Sequence, residues 1–145
     1  MHLRFDLLAA WLNGLVLTLG SVALAGVCLH CMVAPPSPAA MFGGMFALPL
    51  FAAFAALQYL ATLRRRSRAA VSAAMVLLGT AGLSLFALLA NAAHVLAGGA
   101  PLDRPTALMM AILLGATLYL FLSARLNLRW AREFEEEEEK EEEER

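Results

Sequence analysis

Residues 7–33 read LLAAWLNGLVLTLGSVALAGVCLHCMV, twenty-seven consecutive positions without an acid, a lysine or an arginine. A hydrocarbon layer about 30 Å thick is crossed by about 20 helical residues at 1.5 Å each. This run is long enough to span, and much longer than the 7–15 residues of a secretory h-region. Arg4 precedes it as in a signal peptide, but the run leads straight into Ala34-Pro35-Pro36-Ser37-Pro38 and a second apolar stretch. It is expected to be a retained transmembrane helix.

Three further runs have the same character: 39–63, 70–97 and 106–128. None shows period-2 alternation, and free backbone groups in lipid must be satisfied within the segment, so helices are expected. Pro35, Pro36 and Pro38 end the first run, and Gly98-Gly99-Ala100-Pro101 ends the third. Pro105 suits the first turn of the fourth helix, and Pro49 is expected to kink the second. The expected fold is an all-α membrane protein: a four-transmembrane-helix bundle over 1–132, followed by an acidic helix or tail over 133–145.

The 145 residues carry a formal net charge of −1, which hides two opposed blocks. Residues 1–132 hold nine Arg against two Asp, whereas 133–145 hold ten Glu against Lys140 and Arg145. Arg64, Arg65, Arg66 and Arg68 form the turn between helices two and three, and Arg125, Arg129 and Arg132 follow helix four. By the positive-inside rule this turn and both termini are cytoplasmic, with a bacterial inner membrane as the expected location. Trp130 is expected at the lipid interface. Beyond it, Glu136–Lys140 and Glu141–Arg145 are helical i,i+4 pairs, while glutamate repulsion favours fraying. A basic partner, or the protein's own Arg64–Arg68 turn, would complement this tail. No nucleic-acid partner is expected.

Polar and small residues inside the membrane indicate what a helix face touches. Gly14, Thr18, Ser21, Ala25 and Cys28 form one stripe on helix one. Thr80, Ser84, Ala87, Asn91 and His94 form another on helix three. They are expected to be packing seams, facing one another or a shared interior.

Near the outer ends, Cys28, Cys31 and Met32 share a helix face by their i, i+3, i+4 spacing, and His94 is expected at a similar depth. Thiol, thioether and imidazole donors suit a soft ion such as copper. His30 and His94 are the pair that would ligate a haem. The C-x-x-C also resembles that of the disulfide-generating DsbB family. However, the second outer loop, residues 98–104, lacks the cysteine pair that the family's thiol–disulfide relay requires.

Trp11-Leu12-Asn13-Gly14, Val33-Ala34-Pro35 and Met45-Phe46-Ala47 resemble the opening of a group of uncharacterised bacterial four-helix membrane proteins. The same region is similar to the membrane part of CopD-like copper-resistance proteins. Asn13 stands where the first group has glycine. The resemblance implies the fold and supplies no catalytic residue.

No nucleophile–base pair, phosphate loop, paired carboxylate or H-E-x-x-H motif is present. Asp6 and Asp103, the only carboxylates of the first 132 residues, flank the apolar runs, which argues against transport built on a buried acid. The expected function is that of a non-catalytic membrane protein: a small subunit or a self-associating bundle, with no cofactor. The alternatives are a copper- or haem-binding membrane protein, and an oligomeric transporter or channel lined by Asn13, Gln58, Asn91 and Asn127.

Overall fold

The computed structural model describes residues 2–99 and 101–143, with side-chain surroundings for all of these but 2–6, 138, 141 and 142. Four helices account for nearly all of them: α1 (His2–Val33), α2 (Pro38–Thr62), α3 (Ser67–Leu96) and α4 (Arg104–Glu143). All four contain a stretch long and apolar enough to cross a membrane.

The helix ends follow from local chemistry. Ser37 is the N-cap of α2, its hydroxyl accepting from the Ala40 N–H at 3.2 Å, and Pro38 takes the first helical position. α2 continues through Pro49. Asp103 caps α4 by accepting the Thr106 N–H at 3.0 Å. The Thr106 side chain, and then its backbone N–H, hold the Asp103 carboxyl below its ordinary pKa. At the end of α3, Gly98 adopts φ +73°. Its N–H bonds Val95 O and that of Gly99 bonds His94 O, each at 3.0 Å, closing a Schellman motif. Arg65, at φ 48°, turns the chain from α2 to α3.

Two compact units are formed, one by Met1–Ala73 with Leu126–Arg145 and one by Ala74–Arg125. In the first, α1 and α2 are antiparallel. Thr62 lies where a Cβ on Gly14 would fall, and the Cys28–Met32 turn lies beside Gly44. Also in this unit, α2 and α4 run parallel, since Gln58 pairs with Asn127 and Ala61 with Trp130. Ala10, Ala61, Ala69, Ala70, Trp130, Ala131 and Phe134 form one buried cluster, flanked by Leu7, Leu60 and Leu126. The start of α1, the α2–α3 turn and the distal part of α4 therefore meet at one end. In the second unit, Thr117 on α4 donates to Ser84 on α3 at 2.9 Å, and Ser84 donates to Leu113 O at 3.3 Å.

The distribution of side chains is that of a membrane protein. Most of the buried hydrophobic residues are alanines, and the largest fully buried side chains are Gln58 and Ser123. Leucine, valine, phenylalanine and methionine crowd the exposed faces, among them Leu19, Phe46, Leu50, Leu83 and Phe86, each more than 65% exposed. Apolar surface on that scale has no place in water, where patches beyond a few hundred Å² are uncommon. In lipid it costs nothing, and small residues let helices approach.

Three expectations are sharpened at α4 and α1. The acidic segment, expected as a helix or a tail, is helical as far as Glu143: α4 runs on past residue 128, a length of about 60 Å for its 40 residues. Glutamate's good helix propensity and the packing of Phe134 outweigh the repulsion along the run; Arg145, of the second i,i+4 pair, lies outside the described residues. Trp130 does not lie on an exposed face but is 7% exposed within the cluster. Finally, the α1 stripe meets α2 at Gly14 and at Cys28.

Candidate functional site

Two places in the first unit concentrate the side chains with chemistry to offer. The first is the polar clamp between α2 and α4. Asn127 Nδ2 donates to Gln58 Oε1 at 2.8 Å, and Trp130 Nε1 donates to Ala61 O at 3.1 Å. Ala61 is in the last turn of α2, where carbonyls have no intrahelical partner, so the indole completes the helix end. Gln58 is fully buried, Asn127 and Thr62 are each 4% exposed, and Gln58 Nε2 finds no acceptor. Trp130 and Phe134 stack edge to face, with centroids 4.8 Å apart. No titratable side chain takes part in these bonds, so the arrangement joins helices and carries no proton.

This clamp gives a first prediction. Asn127→Ala removes the donor to Gln58 and leaves a buried amide with neither bond made. The expected loss is about 1–3 kcal/mol, read from denaturant unfolding in detergent. Gln58→Leu combined with Asn127→Leu is expected to recover most of it, because neither polar group then remains buried.

The second place is the far end of the α1–α2 seam. Cys28 and Cys31 are free thiols, half-buried, as is Met32. A Cβ at Gly44 would fall 2.7 Å from Cys28 O, 3.3 Å from Met32 Cγ and 3.5 Å from Cys31 Cβ. Gly44 thus lets α2 close onto the turn that carries both thiols. Met41, one turn before Gly44 and half-buried, is on the same face of α2.

The other predicted residues fall as follows. Gly14 and Ser21 are buried, and Thr18 and Ala25 half-buried, on the α1 seam. The hydroxyls of Thr18 and Ser21 donate back to Gly14 O and Leu17 O at 2.8 and 2.7 Å. On α3, Thr80 is exposed and donates to Val76 O, whereas Ser84 and Ala87 are half-buried. Asn91 donates to Ala87 O at 2.8 Å. His30 is exposed. His94, also exposed, belongs to the second unit, where a Cβ on Gly99 would fall onto its ring; it packs on the glycine loop that ends α3. Among the described residues, no three or more His, Cys, Asp and Glu side chains gather as a metal site.

Sequence reasoning named Gln58 and Asn127 only as pore candidates and did not single out Thr62. A usable signal existed: an amide isolated in each of two apolar runs, near the arginine-bearing end, needs a partner at equal depth. No protein-family model matches the chain, and no match is found among curated proteins or solved structures.

Proposed function

We propose that the chain is a non-catalytic integral protein of a bacterial inner membrane that acts by association, as a self-assembling unit or a small subunit of a larger membrane complex. In this reading both termini and the Arg64–Arg68 turn lie in the cytoplasm. The convergence of the α1 start, the α2–α3 turn and the distal part of α4 in one cluster supports that orientation, since the arginines then gather at one face. The distal, glutamate-rich part of α4 would extend from this face as a contact for a basic partner.

The observation that carries the reading is the state of the glycines. Gly14 and Gly44 are used inside the first unit, but Gly20, Gly26, Gly79, Gly82 and Gly115 have, among the described residues of their own unit, no neighbouring atom within 4 Å of where a Cβ would stand. Gly20, Ala23 and Gly26 make an exposed row on α1, and Gly79 and Gly82 another on α3. A glycine inside a helix costs about 0.8–1.0 kcal/mol relative to alanine. Inside lipid, its usual compensation is the close approach of another helix.

The test is Gly79→Leu combined with Gly82→Leu, read by cross-linking in lipid nanodiscs. Loss of cross-linked species with an unchanged melting temperature is the expected outcome. An unchanged cross-linking pattern would remove α3 as an association surface.

A further inference from the structure

The arginine turn between α2 and α3 and the glutamate-bearing end of α4 are strongly charged surfaces of opposite sign within the first unit. Arg64, Arg65, Arg66 and Arg68 are exposed, and so are Glu136, Glu139 and Glu143. On the reading that the chain acts by association, we infer that the basic partner of the acidic helix is a second copy of the chain. The arginine turn of one copy docks on the α4 face that carries Glu136 and Glu139 in the next.

Depth and direction both favour a neighbour over the chain's own turn. The bonds Asn127–Gln58 and Trp130–Ala61 each join residues 69 positions apart on parallel helices. The same offset brings Arg64–Arg66, just past the end of α2, to the level of residues 133–135. Copies inserted with one topology in one bilayer share that level, so the turn of one stands beside the start of the acidic segment of another. Direction then separates the two surfaces within a chain. Phe134 faces the cluster that holds Ala69 and Ala70, on the side of the chain's own turn. Glu136, Glu139 and Glu143 follow Phe134 by two, five and nine residues. At about 100° per residue they lie on the opposite face of the helix. Because α4 is one helix as far as Glu143, these carboxylates cannot bend back. Glu136 and Glu139 stand about 3 and 8 Å beyond Phe134 along the axis, within the span of an arginine side chain, and Glu143 lies farther out. Arg132, exposed on the same face one turn before Glu136, repels a deeper approach and so sets the level of contact. Exposed pairs are individually weak and screened by salt, so this contact adds to helix packing and does not replace it.

The test co-expresses two differently tagged full-length chains, extracts them in native nanodiscs, and measures how much of one is recovered through the tag of the other. Glu136→Arg with Glu139→Arg is expected to lower recovery between like copies about tenfold, and Arg64→Glu with Arg66→Glu to do the same. Mixing the two reversed chains is expected to restore recovery, because the charges then match between copies. Raising salt from about 0.05 to about 0.5 M should reduce recovery of the parent. The glutamate reversal adds positive charge at the end that already holds the arginines, so it remains informative if the arginine reversal alters the topology. Reversed chains that associate as the parent does, or a correctly inserted mixture that is not restored, would overturn the inference. Parent chains recovered singly with another membrane protein would also overturn it and leave the association reading standing. Parent chains recovered singly with lipid alone would remove both.

Discussion

Trp130→Ala is expected to lower the unfolding free energy in detergent by about 3–5 kcal/mol, the range for removing a large aromatic side chain from a packed site. Three losses combine. The indole is 7% exposed and fills the space among Ala10, Ala61, Ala69 and Ala70, whose short side chains cannot close over the cavity. Its N–H is the partner of Ala61 O at the end of α2, which would be left buried and unpaired. Its ring also stacks on Phe134. Trp130→Phe separates these terms, because it keeps most of the volume and loses the donor. A cost of about 1–3 kcal/mol, that of one orphaned carbonyl, is expected for it. Hydrogen exchange gives the local readout: the amides of 131–143 should lose protection in Trp130→Ala, because the packing that anchors this part of α4 is gone.

The second large effect is a contrast between adjacent residues. Gly44→Ala places a methyl 2.7 Å from the backbone oxygen of Cys28, an atom that no rotamer change can move. The α1–α2 seam must open, at a cost of about 1–3 kcal/mol, as for other overpacked sites. Gly43→Ala meets open space instead. It gains helix propensity of about 0.8–1.0 kcal/mol. The two substitutions are chemically identical and one residue apart, and they are expected to shift the melting temperature in opposite directions. The same measurement tests the register of α1 on α2, because a one-residue error would exchange the two outcomes.

Which parts of this were legible beforehand has a physical pattern. The apolar runs mark the helices because lipid requires both hydrophobicity and internal hydrogen bonding, so 7–33 and 39–63 lie within a residue of α1's end and α2's bounds. Polar residues that continue a helix are invisible to that criterion. Ser67 and Arg68 therefore belong to α3, and the glutamate run to α4. The Gly14–Cys28 stripe is read from small residues at i, i+3 and i+4, which declare close approach. They do not declare with whom, and the partner at Gly14 and Cys28 is α2. Trp130 shows the same gap: its position beside arginines suits a lipid interface, and only the position of Ala61 O reveals the role it has.

The central claim is that the chain acts by association through the exposed glycine faces of α1 and α3. The most direct measurement is the mass of the protein extracted from its own membrane in native nanodiscs, without detergent. The account predicts particles holding two or more 15.6 kDa chains, or one chain bound stoichiometrically to another membrane protein, and their loss on Gly79→Leu with Gly82→Leu. A single chain accompanied only by lipid, at its native abundance, would contradict it.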